Sequence, residues 1–304
     1  MRYLLSKAYQ VVGFVLGIFL MGLMISPVMA EDPVGRISIG VNFGIAGLAM
    51  DDVNREIDRG NDYLRFKGLT TMDRLSSGYN VYGDFKTALK DPFYISLGYG
   101  TLTALSEVSY NQILSAKADA TVIFGRLLYA IPWRPFENGR LFVGGGGVLL
   151  RDAVLEIGHE RDEEAKVPER KEIISFKGSG SGFQFDILGE YLIGDHMTFM
   201  MNAGYRFATA DYDDWSIAIR HADHQAYRGI DAFADDEQLF WAYRDIDAFL
   251  LHSFLQDPGN RPDPDDEEAA NADGPPINTL KVVDNLNLDF SGARFEVGLR
   301  FYFF

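Results

Sequence analysis

The sequence contains no cysteine, few basic residues for its length and no long apolar run after its first 30 positions. The missing cysteine excludes disulfides, thiol catalysis, Cys-ligated metal sites and a lipoprotein anchor. The 304 residues carry 28 Lys and Arg against 44 Asp and Glu, a net charge of −16. This acidic excess argues against nucleic acid as a partner, because phosphates are bound by clustered cations. Glycine and aromatic residues are abundant, with 31 Gly, 23 Phe and 15 Tyr, which favours a β protein.

Residues 1–30 have the features of a secretory signal peptide. Arg2 and Lys7 precede an uncharged run, and Val28-Met29-Ala30 follows it as a cleavage site. The alternative is an uncleaved anchor, because the uncharged stretch from Ala8 to Ala30 is long enough to cross a bilayer. We expect cleavage, which leaves residues 31–304 as one domain with a net charge of −18. No later stretch approaches the roughly 18 consecutive apolar residues of a spanning helix, so the exported chain is either soluble or a barrel.

Several segments alternate apolar and polar residues with a period of two, which predicts strands. The last is the clearest: Phe295, Val297, Leu299, Phe301 and Phe303 alternate with Arg294, Glu296, Gly298, Arg300 and Tyr302. Soluble sandwiches alternate as well. This strand, however, finishes on four aromatic residues, 301–304, which a soluble sheet would leave uncovered and a membrane barrel places at the lipid boundary.

On this terminal strand, and on Asp289-Phe290-Ser291-Gly292 and Gly180-Ser181-Gly182-Phe183, the chain resembles bacterial outer-membrane β-barrel proteins of the small OmpA/OmpX-like family. The resemblance implies a cell-surface protein in the outer membrane of a Gram-negative bacterium, in contact with its lipid and lipopolysaccharide. It also implies that the barrel-assembly machinery reads the aromatic residues of the last strand. The candidates for this signal are Phe301, Phe303 and Phe304, of which Phe304 falls one residue out of register with the outward face.

The predicted fold class is all-β: an eight-stranded antiparallel transmembrane β-barrel with long outer loops that carry short helices. Tilted crossings of about 9–12 residues are expected, and an even number of strands is usual. The predicted strands are 36–46, 92–100, 104–114, 118–132, 140–156, 176–194, 197–210 and 288–304. Short connections near Thr101, at 132–138 and at 194–196 would face the periplasm. The long loops, 47–91 and 211–287, would face outward, with helices near 48–59 and 231–255.

The loop 211–287 holds 18 acidic and 5 basic residues, and therefore most of the negative charge of the mature chain. Its run Asp263–Glu268 suggests weak binding of a divalent cation, although the spacing of a calcium loop is missing. A solvated acidic segment is the simpler interpretation. An extracellular ligand at these loops is the other partner that the charge suggests.

The polar faces of the predicted strands would point into a lumen that eight strands leave just wide enough for side chains to fill. We interpret this lumen as a structural plug of paired charges, with a charged, pore-lining channel as the alternative. The predicted lumen charges are Arg36, Glu107, Arg126, Asp186, Glu190, Arg206, Arg294, Glu296 and Arg300.

The sequence therefore predicts a structural or surface-interaction role through acidic loops, without catalysis, cofactor or metal. A narrow, porin-like pore or a conduit for apolar molecules is the first alternative. An outer-leaflet lipid-modifying hydrolase that uses His221 and Ser216 is the second, although no nucleophile motif is present. The pair His221 and His224 supplies too few ligands for a zinc site.

Overall fold

The computed structural model describes residues 37–66, 68–109, 112–132, 138–161, 170–194, 196–221, 224–228, 255–256, 281–282 and 286–303. The predicted signal peptide, Arg36, the predicted helix at 231–255, the acidic run 263–268 and Phe304 lie outside these residues. In chain order the strands are β1 (Ser38–Gly47), β2 (Ser77–Lys90), β3 (Phe93–Ser109), β4 (Gln112–Ala130), β5 (Gly139–Arg161), β6 (Arg170–Gly194), β7 (Met197–His221), β8 (His224–Arg228), β9 (Leu255–Gln256), β10 (Lys281–Val282), β11 (Asn287–Asp289) and β12 (Gly292–Tyr302).

Eight of these strands close into a ring, which confirms the predicted antiparallel transmembrane barrel. Strands β1 to β7 pair in sequence order, β7 pairs with β12, and β12 pairs with β1. Strand β11 continues the line of β12 along β7, and β8 folds back on β7. At one end of the barrel β2 ends and β3 begins, β4 ends and β5 begins, and β6 ends and β7 begins; we call it the turn end. At the opposite end, which we call the loop end, β1, β3, β5 and β7 end, and residues 48–76 lie between β1 and β2.

The predicted strand boundaries are wrong in the first half of the chain. Segments 92–100 and 104–114 belong largely to the single strand β3, and the missing eighth strand is β2, which was assigned to the loop 47–91. Gly100-Thr101 is therefore not a turn. Gly100 lies inside the sheet because β2 passes so close at Tyr82 that a Cβ at position 100 would overlap it. The sequence analysis predicted a turn here because glycine is common in turns, but Gly100 is required by the close approach of two strands.

The strands differ in length, and the barrel is taller on one side. Strands β4 to β7 have 19 to 25 residues, whereas β1, β2 and β12 have 10, 14 and 11. A bilayer crossing needs about 9–11 residues. We call β4–β7 the tall wall: its strands continue well beyond a bilayer, mainly at the loop end. The segment between the predicted strands 140–156 and 176–194 is consequently mostly strand where it is described, and the loop predicted from position 211 starts after His221.

The outer wall of the barrel is apolar. Its exposed side chains on the strands include Phe43, Leu97, Leu127, Phe185, Ile187, Tyr191, Phe295, Leu299 and Phe301. These residues alternate with buried polar and charged groups, such as Asp186 on β6 and Arg300 on β12. This is the reverse of a soluble protein, in which charged groups face outward, and it matches the lipid-facing belt of a membrane barrel.

A helix closes the loop end. Helix α1 (Asp51–Phe66) begins with two acidic residues and continues past Gly60, beyond the helix near 48–59 that the sequence predicted. Val53, Ile57 and Leu64 are buried in the same apolar cluster as inward-facing residues of the tall wall. The helix therefore packs into the mouth of the barrel. No helix among the described residues has both the length and the hydropathy that a membrane crossing requires.

Two asparagines fasten the helix to the segment that follows it, residues 69–76, which we call the strap. The Asn54 side chain accepts from the Leu75 amide at 2.8 Å and donates to the Leu75 carbonyl at 3.1 Å. Asn61 exchanges the same two bonds with Met72, both at 2.8 Å. These buried amides satisfy backbone groups that the strap, lacking a strand partner here, would otherwise leave unpaired. Helix α1 and the strap together form the plug.

The plug is also tied to the end of the chain. The amide of Met50 donates to the Asp289 carbonyl at 3.1 Å, and the Asn287 amide donates to the Asp52 carboxylate at 3.3 Å. Leu48 donates to the Ser76 carbonyl at 2.9 Å, so the plug leaves and rejoins the sheet at one point. The plug therefore covers the mouth of the barrel, and hydrogen bonds attach its first residues to β11.

Candidate functional site

The interior of the barrel has two halves of different chemistry. The half near the loop end is apolar and packs beneath the plug, with Leu102 on β3, Ala118 on β4, Leu155 on β5, Phe176 on β6 and Ala210 on β7 all buried. The half near the turn end holds the buried charges. The functional question concerns this second half, because buried ions are costly unless they are paired and hydrogen-bonded.

Seven of the nine predicted lumen charges lie together inside the barrel, each 4% exposed or less: Arg126, Asp186, Glu190, Arg206, Arg294, Glu296 and Arg300. Arg36 lies outside the described residues. The placement of Glu107 in the lumen is wrong, because it faces outward on β3 together with exposed Leu105. Here, near the loop end, the outer wall becomes polar while the interior takes small residues such as Ala104.

Strand β2 supplies four lumen residues that the sequence analysis missed: Asn80, Tyr82, Asp84 and Lys86. They were overlooked because their segment was assigned to a loop. The signal was nevertheless present, since these residues alternate with Tyr79, Val81, Gly83 and Phe85. The alternation is the same as on β12, and it predicts a strand with a polar inward face.

Eight of the charged residues form one alternating chain of cations and anions, which we call the lumen chain. Its first part lies near the turn end. Lys86 Nζ contacts the two Glu190 oxygens at 2.7 and 2.8 Å. Glu190 Oε1 in turn lies 2.9 Å from Arg300 Nε, and Arg300 Nη2 lies 2.7 Å from Asp84 Oδ2. Three strands, β2, β6 and β12, are thereby joined across the lumen.

The second part of the lumen chain continues from Asp84. Arg126 contacts Asp84 at 3.3 Å and Asp186 at 3.2 Å, which adds β4 to the chain. Arg294 then bridges Asp186 and Glu296, the latter at 3.0 Å. The full order is Lys86, Glu190, Arg300, Asp84, Arg126, Asp186, Arg294 and Glu296. Charges of opposite sign alternate at every step, so the chain as a whole is neutral.

Neutral side chains complete the hydrogen bonding of the carboxylates. Glu296 accepts from Asn80 at 2.5 Å, from Asn202 at 2.6 Å and from the Tyr82 hydroxyl. Asp84 accepts from Ser96 Oγ at 2.8 Å and from Asn42 at 3.3 Å. Such additional donors are what a buried ion pair needs to offset its desolvation. The arrangement is therefore a bonded structure rather than a set of loose charges.

An apolar layer closes the turn end of the lumen. Tyr94, Leu128, Phe142, Leu188 and Met200 are buried together there. Lys86 Nζ lies 4.2 Å from the centre of the Phe142 ring, so this layer also contributes a cation–π contact. From the turn end to the loop end, the interior thus contains this apolar layer, then the lumen chain, then the apolar cluster, and finally the plug.

Outside the lumen, the candidates for metal binding or catalysis among the described residues are His221, His224 and Ser216. Among the described residues no cluster of His, Asp and Glu has the composition of a metal site. His221 pairs with His224 across the β7–β8 hairpin, so these two residues lie on neighbouring strands. Ser216 and His221 are five residues apart on β7, which separates their Cα atoms by about 16 Å. That distance is too long for a serine and its general base.

A surface cavity of about 790 Å³ lies on the tall wall, where β5 bulges at Arg151 and Asp152. Lys177 and Ser181 of β6 and Asp214 of β7 also line it. Leu149, which also lines the cavity, and Phe183, two residues beyond Ser181 on β6, are both exposed on the apolar belt. The cavity therefore lies at the loop-end border of the apolar belt, where the headgroups of a bilayer would begin.

The aromatic residues of the last strand are placed as predicted where they are described. Phe301 faces outward and is 42% exposed, and Tyr302 faces inward. The amide of Phe303 donates to the Ile37 carbonyl at 2.8 Å, which joins the end of β12 to the start of β1. Their recognition by the barrel-assembly machinery stays a prediction.

No protein-family model and no curated protein matches the chain. Among solved structures, the outer membrane protease OmpT from Escherichia coli is similar at 7% identity and a TM-score of 0.28, with 91% of this chain and 99% of that chain covered. A FadL homologue from Pseudomonas aeruginosa is similar at 8% identity and a TM-score of 0.13, with 88% and 89% covered. At these identities and scores, neither likeness bears on activity, substrate or partner.

Proposed function

We propose that the protein is a closed β-barrel of a Gram-negative outer membrane, of the small OmpA/OmpX-like kind, with a structural or surface-interaction role and no catalysis. The observation that carries this proposal is the lumen chain, in which eight charges satisfy one another beneath the plug. An ion-conducting lumen needs charged groups that bind a passing ion weakly and release it. The charges of the lumen chain are already paired with one another and are therefore not free to bind a passing ion.

The surface role rests on the asymmetry of the barrel. The tall wall lifts the loop end of β5, β6 and β7 well beyond a bilayer, and the acidic segment between β7 and β12 follows directly from it. Binding residues commonly lie on loops that a rigid scaffold presents. We propose that this acidic face meets divalent cations or an extracellular ligand, and that the border cavity with Arg151 and Lys177 meets lipid or lipopolysaccharide headgroups.

The decisive experiment is single-channel conductance of the refolded protein in a planar bilayer, with an open porin recorded in parallel as the positive control. We expect silence from residues 31–304. A variant lacking 229–280 and a variant in which 49–75 is replaced by a short turn should be silent as well. The second deletion is feasible because Leu48 and Ser76 are hydrogen-bonded neighbours. Steady conductance of the full protein would refute the closed barrel, and conductance of only the plug deletion would show that α1, not the lumen chain, is the seal.

A calorimetric titration tests the acidic face. Calcium added to the refolded protein should give a weak binding heat that is absent in the variant lacking 229–280, because that segment carries most of the excess carboxylates. A binding heat of the same size from both proteins would show that calcium binds elsewhere on the barrel. No binding heat from either protein would contradict cation binding at the acidic face.

A further inference from the structure

One lumen charge is left out of the lumen chain. Arg206 lies on the inward face of β7 and is 2% exposed. Within the part of the chain that the structure describes, its guanidinium donates no hydrogen bond and forms no ion pair, and its Nε is buried without a partner. The lumen faces of the described strands thus hold five buried cations and four buried carboxylates, and Arg206 is the excess charge.

Such a group cannot be accommodated without cost. Arginine stays protonated in proteins and carries five N–H donors, and in Arg206 the Nε–H is buried without a partner among the described residues. An unpaired buried charge is among the most expensive features that a folded protein can contain, so native structures pair it or place a counter-ion beside it. Gln184, which faces Arg206 in the strand register, offers only a neutral acceptor and leaves the charge in place.

A second guanidinium with a free donor lies beside Arg206. A Cβ added to Gly204 would lie 3.4 Å from Arg294 Nε, so that nitrogen lies over the inward face of Gly204. Arg206 is the next inward residue on the same strand, about 7 Å further along. Arg294 Nε is itself buried without a hydrogen-bond partner among the described residues. Two arginines of like charge therefore present unused N–H groups to the same part of the lumen.

The surroundings favour a small ligand. Beyond Arg206 the inward positions of β7 are Ala208 and Ala210, and those opposite them on β6 are Gly182 and Gly180. These four positions contribute no side chain longer than a methyl group. The next layer is the apolar cluster, which would leave the further oxygens of a phosphate or sulfate without donors.

We propose that the lumen binds one small monovalent anion of the halide class, held by the guanidinium of Arg206 and by Nε of Arg294. One negative charge balances the excess of Arg206 and extends the alternation of the lumen chain to a fifth cation–anion pair. The site goes beyond the proposed surface role, and it exists whether or not the barrel conducts.

Bromide is the probe, because it replaces chloride and can be located by anomalous diffraction. Crystals of the refolded protein grown in sodium bromide should show an anomalous peak within hydrogen-bond distance of the Arg206 guanidinium and of Arg294 Nε. Anomalous peaks found only at exposed arginines, or no peak, would overturn the proposal and leave Gln184 and water as the partners of Arg206.

A solution experiment provides a second, independent test. At equal ionic strength, the melting temperature should be higher in sodium bromide than in sodium gluconate, whose anion is too large for the site. The difference should disappear in Arg206→Met and persist in Arg65→Met, a matched change at an arginine on the exposed side of α1. A bromide effect of the same size in both variants, or no bromide effect on the unmodified protein, contradicts the proposal. The unmodified protein decides the outcome even if Arg206→Met does not refold.

Discussion

Replacing Asp84 with asparagine tests whether the lumen chain holds the barrel together. The substitution keeps the size of the side chain and removes one charge from the middle of the chain. Asp84 contacts Arg300 at 2.7 Å and Arg126 at 3.3 Å. At an effective dielectric constant of about 20, these distances correspond to attractions of about 6 and about 5 kcal/mol.

The desolvation penalty of the carboxylate, several kcal/mol, disappears together with its charge and offsets much of that attraction. What remains is the cost of leaving two buried guanidinium groups under-compensated. We therefore expect Asp84→Asn to lower the free energy of unfolding by about 3–5 kcal/mol, the range found when one partner of a buried ion pair is removed.

The assay is equilibrium urea unfolding of the refolded barrel in lipid vesicles, followed by tryptophan fluorescence. Asp62→Asn is the matched control: Asp62 pairs with Arg65 on the exposed side of α1 at 2.5 Å, with side chains 76% and 60% exposed. That pair should contribute less than about 1 kcal/mol. If Asp84→Asn costs no more than the control, the lumen chain does not stabilise the barrel and the reasoning is refuted. The double variant Asp84→Asn with Arg126→Met should recover part of the loss, because it restores the charge balance.

Three further changes test other parts of the structure. Gly98→Ala should destabilise the barrel by about 1–3 kcal/mol in the same urea assay, because the new methyl group would overlap the ring of Phe124; an unchanged midpoint would show that the ring moves aside freely. Asn54→Ala should speed hydrogen exchange at the Leu75 amide at least about fivefold, since that amide loses its buried acceptor at a cost of about 1–3 kcal/mol; unaltered protection would mean that packing alone holds the strap. Phe301→Ala should lower the amount of folded barrel in the outer-membrane fraction if the aromatic end of β12 is the assembly signal, and normal levels would remove Phe301 from that role.

The sequence was sufficient to predict which residues face the lumen on β6, β7 and β12. On these strands the alternation is uninterrupted, and a period of two assigns every side chain once one is placed. It was not sufficient at Gly100, where a glycine required by the close approach of β2 resembled a turn. The error displaced the first half of the strand assignment, and Asp84 and Lys86 were lost with it.

The partners within the lumen lay beyond sequence reasoning for a different reason. Alternation shows that Arg126 and Arg206 point inward. That Arg126 meets two carboxylates, whereas Arg206 forms no ion pair with a described residue, depends on the stagger of strands around the ring. Similarly, the sequence predicted a helix near 48–59, whereas the position of α1 in the mouth depends on the tall wall and on the hydrogen bonds of Asn54 and Asn61 to the strap. Contacts of this kind become visible only in three dimensions.

The lumen chain has a consequence for how the barrel is assembled. Its members come from opposite ends of the sequence: Arg300 and Asp84 are 216 residues apart, and Lys86 and Glu190 are 104 apart. An open sheet that has not yet joined β12 to β1 would hold Asp84 without Arg300 and Lys86 without Glu190, because these partners lie on distant strands of the sheet. Half-closed intermediates are therefore penalised electrostatically, and closure of the seam between the first and last strands coincides with the pairing of these lumen-chain charges. Closure should then be a single cooperative event. The interior charges favour pairing of β1 with β12 over any other pairing of sheet edges, because only that pairing brings the charges of opposite sign together.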